Sequence, residues 1–354
     1  MILPNITHYE IETLAGLEEF TTNELTSKFG EQARVIAKSG NGHIVVDYSG
    51  DLRLFNGMRS VTAIHIVETF DIPRPRALLG NQNLGRVMEM VENVLKRNRD
   101  KDMKTLRVSG AGANSAVFAR LKQEISRMTG LAVTEEPANL QITVRPDQNE
   151  KNGWQVMVRT SSMPLSSREW RVCSLPGALN ASIAHVMASL ADPARNERFL
   201  NLCCGSGTLM IERLEIGPAA QVVGIDSDKE ALSCAEANLR VSGHSSKVEL
   251  IWGDIGNVRL PDGSINTIVA DLPYGMLVGE QSDIELTYHS AILEATRVAA
   301  PEANLLMITT RRKLFESTLE EFSHCWDNIR TIPVSVPHSR GYLNTAIHWL
   351  RRKA

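Results

Sequence analysis

Asn201-Leu-Cys-Cys-Gly-Ser-Gly-Thr-Leu-Met210 reads as a strand end, a glycine turn and the start of a helix. Gly205 and Gly207 permit the sharp reversal and let backbone N–H groups approach a ligand. Thr208 can open the helix. Val222-Val-Gly-Ile-Asp226 ends a second strand in a carboxylate, which can accept two ribose hydroxyls. Trp252-Gly-Asp-Ile255 adds Asp254, suited to the exocyclic amine of an adenine, and Ile255, an apolar face for its ring. Asp271-Leu-Pro-Tyr-Gly275 follows the apolar run Ile268-Val-Ala270 and so sits just beyond another strand. Its proline fixes the local backbone, Tyr274 can stack on a planar base, and Asp271 can accept hydrogens from an exocyclic amine. A lone Gly-x-Gly is weak evidence, and Asp226 alone would also suit a dinucleotide. The Asp271 segment shifts the balance toward a methyl donor held beside a flat, amine-bearing substrate.

Around this centre, helical and strand periodicities alternate. Helix Leu179–Leu190 precedes strand Phe199–Cys203. Helix Leu209–Ile216, strand Gln221–Ile225, helix Lys229–Val241 and strands Val248–Trp252 and Thr267–Ala270 follow. Helix Ile284–Ala299, strand Asn304–Thr309 and helix Leu314–Phe322 lead to two last strands, Ile329–Val336 and Thr345–Leu350. This rhythm predicts a largely parallel sheet covered by helices and finished by an antiparallel pair. The first half reads as mixed α and β. Leu140–Arg145 and Trp154–Arg159 alternate with the period of sheet strands, Ser115–Thr129 reads as a helix ending at Gly130, and Pro73 and Pro75 mark a boundary.

The 354 residues have room for two or three domains. No apolar run is long enough to cross a membrane, and the first ten residues lack a secretory pattern, so the expected location is the cytoplasm. The five cysteines, Cys173, Cys203, Cys204, Cys234 and Cys325, are odd in number and widely spaced. They are expected to be reduced thiols, with no metal site. The net charge of −3 argues against indiscriminate polyanion binding, but a local basic face can act alone. Residues 1–171 carry a net +2 and residues 172–354 a net −5.

On these motifs the sequence resembles the THUMP-domain RNA methyltransferases, which include tRNA and rRNA guanine-N2 methyltransferases. Asn201-Leu-Cys-Cys-Gly-Ser-Gly-Thr208 stands where the family usually carries Asp-Pro-Phe-Cys-Gly-Ser-Gly-Thr. Asp271-Leu-Pro-Tyr274 stands for its Asp/Asn-Pro-Pro-Tyr/Phe tetrad, and Arg168-Glu-Trp-Arg171 for an Arg-x-Tyr-Arg segment joining the THUMP and catalytic domains. The resemblance implies an α/β fold, with a Rossmann-like seven-stranded methyltransferase domain after an α+β ferredoxin-like/THUMP region. The expected division is residues 1–72 ferredoxin-like, 73–165 THUMP-like and RNA-binding, 166–176 linker and 177–354 methyltransferase.

It further implies S-adenosylmethionine as cofactor, with S-adenosylhomocysteine as product. The expected cofactor contacts are Asn201, Cys203, Gly205, Gly207, Thr208, Asp226, Ser227, Asp254, Ile255 and Asp271. Asp271, Pro273 and Tyr274 would hold the base. A THUMP-type module would recognise the tRNA acceptor stem and CCA end. Candidate RNA contacts are Arg107, Arg120, Lys122, Arg127, Arg145, Arg168, Arg171, Arg311, His338 and Arg340. The favoured activity is guanine-N2 methylation of tRNA. Adenine-N6 methylation of DNA or RNA uses similar acid–proline–aromatic geometry, and an inactive RNA-binding protein with a methyltransferase fold would keep the same outline. Asn201, a neutral amide in place of a carboxylate, keeps that last reading open. The sequence leaves the oligomeric state open.

Overall fold

The computed structural model describes residues 7–147, 153–273, 281–339 and 341–354. The chain divides into two units, Met1–Thr13 with Glu18–Ser167, and Leu14–Leu17 with Arg168–Ala354. No helix among the described residues is long and apolar enough to cross a membrane.

The first unit is built from β1 (Thr7–Glu12), α1 (Glu18–Phe29), β2 (Ala33–Ser39), β3 (His43–Tyr48), α2 (Leu52–Phe55) and β4 (Ala63–Asp71), then α3 (Asn81–Arg97), β5 (Thr105–Gly110), α4 (Ala116–Thr129), β6 (Ala132–Val133), β7 (Leu140–Pro146) and β8 (Gly153–Arg159). The strands form one eight-stranded sheet in the order β2-β3-β1-β4-β8-β7-β5-β6. Strands from before and after residue 72 share this sheet, joined where β4 pairs antiparallel with β8. Period-2 alternation makes the sheet two-faced. Tyr9, Ile11, Ile44, Val46, Ile64, Ile66, Val156 and Val158 enter the core.

Glu10 and Glu12 alternate with those β1 core residues. Glu10 is paired with His43 and with Arg145. Burial alone would raise its carboxyl, but those hydrogen bonds outweigh it and hold Glu10 at about 2. Glu10, Glu12 and His43 bring their ligand atoms within 4.8 Å of one another, and Arg145 already neutralises part of this charge.

The second unit runs α5 (Ala181–Leu190), β9 (Arg198–Leu202), α6 (Thr208–Ile216), β10 (Gln221–Asp226), α7 (Lys229–Val241), β11 (Val248–Trp252) and β12 (Ile265–Asp271). It continues through α8 (Gln281–Val298), β13 (Ala299–Thr309), α9 (Arg312–Glu321), β14 (Trp326–His338) and β15 (Gly341–Arg352). Its seven strands are ordered β11-β10-β9-β12-β13-β15-β14. The pairs from β11 to β13 are parallel, and β15 and β14 close the sheet antiparallel. This is the largely parallel sheet with a closing antiparallel pair that the alternating pattern predicts, and the Rossmann-like seven-stranded arrangement that the resemblance implies. Successive strands move to one side from β9 to β10 and β11, then to the other from β12. The carboxyl ends of β9 and β12 thus form a topological switch point, where open α/β sheets bind ligands.

Candidate active site

The turns after β9 and β12 meet at that switch point, with the ends of β10 and β11 beside them. After β9 the chain passes through Cys203 (φ 51°), Gly205 (φ 52°) and Gly207 (φ 82°) before entering α6. A side chain at Gly205 would meet no neighbour, so the left-handed backbone, rather than crowding, accounts for glycine there. Gly224 in β10 has the opposite cause. A Cβ there would stand 2.4 Å from Met210 Sδ, so glycine lets α6 lie against the sheet.

The end of β10 is fixed by its own acid. Asp226 accepts from the Gly205 N–H at 2.8 Å and from the Asp228 N–H at 3.0 Å. Asp254, beyond β11, accepts from the Gly256 N–H at 2.7 Å. Burial, followed by the charges of Asp226, Asp271 and Asp254, pushes the Cys203 thiol up to about 12. Three carboxylates therefore act on one point. Cys203 stays protonated near neutral pH and is no nucleophile.

Asp271 ends β12, opposite Ile308 of β13. Leu272 is buried and its N–H donates to the Ile308 carbonyl at 3.0 Å. Pro273 follows, and its carbonyl accepts from the buried Tyr288 of α8 at 3.0 Å. Tyr288 also meets Thr309 Oγ1 at 2.5 Å, and Thr309 Oγ1 accepts from the Arg311 N–H at 2.9 Å. Since the Tyr288 proton goes to Pro273, Thr309 is the donor to Tyr288. The chain of bonds runs one way, from Arg311 N–H to the Pro273 carbonyl.

A cavity of about 570 Å³ opens between these turns. Cys203, Cys204, Gly205, Ser206 and Thr208 line one part, and Asp271, Leu272 and Pro273 another. Leu175–Asn180 and Ile183 add a third wall, with Ile308, Val336, His338, Leu343 and Thr345 completing it. The glycine turn offers room at Gly205, and the acids around Cys203 suit a ligand carrying a cation and sugar hydroxyls.

The 175–180 wall is held by the segment before it. Arg168 pairs with Glu212 of α6 at 2.7 Å, with the two side chains 6% and 0% exposed. Arg171 donates to the Leu179 carbonyl and to Thr208 Oγ1, both at 2.9 Å. Asn238 of α7 receives the Cys173 N–H, and its own amide donates to the Cys173 and Ser206 carbonyls. This brings Cys173 to Cys234 with Cα atoms 5.4 Å apart, and the two form a disulfide. The expectation of five free thiols is thus corrected to three, Cys203, Cys204 and Cys325. A contact across 61 residues leaves no mark in cysteine spacing.

Of the expected cofactor residues, Cys203, Gly205, Thr208 and Asp271 line the cavity. Gly207, Asp226, Ser227, Asp254 and Ile255 lie on the adjoining turns. Asn201 does not open on the cavity. It is fully buried in β9, and its amide donates to the Leu202 and Val269 carbonyls at 3.0 and 3.3 Å. Of the base-holding residues, Asp271 and Pro273 are at the cavity, while Tyr274 lies outside the described residues.

The expected RNA contacts separate further. Arg168 forms an almost fully buried ion pair with α6, and the half-buried Arg171 ties the cavity wall to Thr208 at the start of that helix. Lys122 is buried against Glu135 at 2.5 Å, and Arg145 is committed to Glu10 and Gln155. Arg127 is exposed but paired with Glu124. Arg107 is half-buried, whereas Arg120 and Arg311 are exposed. His338 lines the cavity, and Arg340 lies outside the described residues. Asn180, Tyr288, Val336, Leu343 and Thr345 were absent from the expected site. The alternation of β14 and β15 carries the signal for the last three, because Val336 faces Leu343 and Val334 faces Thr345 in register.

Residues 168–338 match a sequence family described as RMKL-like, methyltransferase domain. A tRNA (guanine(6)-N2)-methyltransferase of Methanocaldococcus jannaschii is 24% identical, over 88% of this chain and 92% of that protein. The tRNA (guanine(6)-N2)-methyltransferase of Thermus thermophilus is 26% identical, over 88% of this chain and 91% of its own length. The crystal structure of TrmN from Thermus thermophilus superposes with a TM-score of 0.74 at 19% identity, covering 98% of this chain and 99% of that one.

Proposed function

We propose that this chain, whose residues 168–338 are an RMKL-like methyltransferase domain, transfers a methyl group from S-adenosylmethionine to the N2 amine of a tRNA guanosine. The observation that carries the reading is the shared cavity of the Cys203–Thr208 turn and Asp271–Pro273. One turn suits a nucleoside-bearing donor, and the other suits an exocyclic amine. The tRNA (guanine(6)-N2)-methyltransferases similar over most of this chain support guanosine 6 as the target.

The Cys203–Thr208 turn would hold the amino-acid end of the donor. Asp226, fixed by the Gly205 and Asp228 N–H groups, would accept its ribose hydroxyls on its remaining lone pairs, and Asp254 and Ile255 would take its adenine. When bound, the donor supplies an electrophilic methyl on a sulfonium. The guanine amine is a poor nucleophile because its lone pair is shared with the ring. Asp271 accepts hydrogen bonds from that amine, turns its lone pair out of conjugation and stabilises positive charge as it develops. Tyr274 would stack on the ring. Alignment supplies most of the rate. Transfer would exchange the donor's carbon–sulfur bond for a carbon–nitrogen bond, and the surplus amine proton would leave to Asp271 or solvent. A base in a duplex must leave the stack to reach Asp271.

The division into a 1–72 ferredoxin-like part, a 73–165 THUMP-like part, a 166–176 linker and a 177–354 catalytic part belongs to this proposal. So do acceptor-stem and CCA recognition by the THUMP-like part and a cytoplasmic location. Of the expected RNA contacts, Arg120, Arg127, Arg311 and His338 stand exposed among the described residues.

Calorimetry with S-adenosylmethionine and methyl transfer to tRNA transcripts test the reading together. The expected result is cofactor binding, and labelling of a transcript that disappears when its guanosine 6 is replaced by adenosine. Cofactor binding with no labelling of any transcript would refute the catalytic reading.

A further inference from the structure

We propose that the Thr345 hydroxyl determines base choice by donating a hydrogen bond to the O6 carbonyl of the target guanine. The inference rests on the guanine-N2 reading of the same cavity.

Thr345 is 6% exposed, lines the cavity, and its Oγ1 has no hydrogen-bond partner among the described residues. A buried hydroxyl without a partner is costly. The wall around it is apolar, formed by Ile308, Val336 and Leu343. Valine would fill the same space there without an unpaired group. A turn about χ1 would bring the hydroxyl to face a ligand in the cavity that supplies its own acceptor.

The sheet fixes where that acceptor lies. Asp271 is opposite Ile308, and Ile308 is opposite Ile347. Thr345 is two residues along β15 from Ile347, so its side chain is on the same face as Asp271. Thr309 is opposite Ala346, which places Thr345 beyond the end of β13, on the cavity side. Strand spacing and rise put the Cα atoms of Asp271 and Thr345 roughly 12 Å apart. A purine ring, two hydrogen bonds and the two side chains bridge such a gap.

With the N2 amine at Asp271, guanine turns its O6 edge toward the far wall. An adenine presenting its N6 amine to Asp271 has no carbonyl for Thr345. The hydroxyl stays unpaired, and guanine is favoured. A site built to pair with a polar group discriminates against ligands that lack it.

The test compares Thr345→Val, which removes the hydroxyl and keeps the shape, with Thr345→Ser, which keeps the hydroxyl. Both are assayed beside the wild type for methyl transfer to tRNA carrying guanosine or 2-aminopurine at the target. 2-Aminopurine keeps the amine and lacks O6. On guanosine RNA, Thr345→Val should lower kcat/KM by about tenfold or more, with Thr345→Ser near wild type. Cofactor affinity should not change, and on 2-aminopurine RNA Thr345→Val should match the wild type. Wild-type rates for Thr345→Val on guanosine RNA, or an equal loss on both RNAs, would overturn the inference alone. Wild-type protein that labels adenosine instead of guanosine would overturn the underlying function, and the inference with it.

Discussion

The Tyr288 hydroxyl donates to the Pro273 carbonyl across 3.0 Å, tying the acid-bearing turn after β12 to a helix residue fifteen positions on. Tyr288 is fully buried, and burial raises its phenol further, so it remains a donor across the working pH range. Thr309 donates into it from behind. The turn that presents Asp271 is thus held by packing and by a directed chain of bonds.

Removing that hydroxyl tests its role in alignment. Tyr288→Phe keeps the ring in the core and frees the Pro273 carbonyl. The expected outcome is a fall in kcat of about tenfold to a hundredfold with little change in cofactor affinity, because alignment is lost while binding groups remain. Single-turnover rates beside calorimetric affinities measure the split. A wild-type kcat would show that the turn holds itself.

Asp271→Ala should lower methyl transfer by about 100- to 1,000-fold, the usual range for removing one group that stabilises developing charge. Asp271→Asn should retain more activity, since an amide oxygen can still accept from the amine. Initial rates on saturating RNA check both. Equal, small effects would move the chemistry away from Asp271.

The Arg168–Glu212 pair is a stability prediction. Both side chains are almost fully buried, so Glu212→Ala leaves Arg168 charged in a dry site. Unfolding in urea should show a loss of about 3–5 kcal/mol. A loss under about 1 kcal/mol, the range of surface ion pairs, would mean water reaches the pair.

Glu10 and His43 give a pH signature to the first unit. The Glu10 carboxyl is held at about 2, so its contribution is present above the ordinary carboxylate range and is lost as pH falls toward 2. Hydrogen bonding to Glu10 raises His43, so the imidazolium contribution is full below its ordinary value and is lost as pH rises through the raised one. Both charges are fully present between about pH 4.5 and 6.5. Glu10→Gln should therefore destabilise most in that window, by about 1–3 kcal/mol, and less at pH 8. Denaturation midpoints across pH check this, and a loss constant with pH would contradict it.

Much of this architecture was legible because local codes agree with the fold. The alternating pattern after residue 175 anticipated a largely parallel sheet and the closing antiparallel pair, and the glycine turn with the acids ending neighbouring strands anticipated where they converge. Strand β2 escaped because it is a largely exposed edge whose short apolar alternation is broken at Ile36, where the strand bulges. Asn201 and Arg168 were legible as motif members but not as buried groups, since their partners are set by tertiary packing. Glu212 lies 44 residues from Arg168. Thr345 and Tyr288 belong to elements read only for their periodicity, and sheet register is needed to bring them to Asp271.

The most direct test of the central claim is to incubate the protein with labelled S-adenosylmethionine and unmodified tRNA, digest the RNA and identify the labelled nucleoside by mass. The account predicts N2-methylguanosine. N6-methyladenosine, or no labelled nucleoside from protein that binds the cofactor, would contradict it.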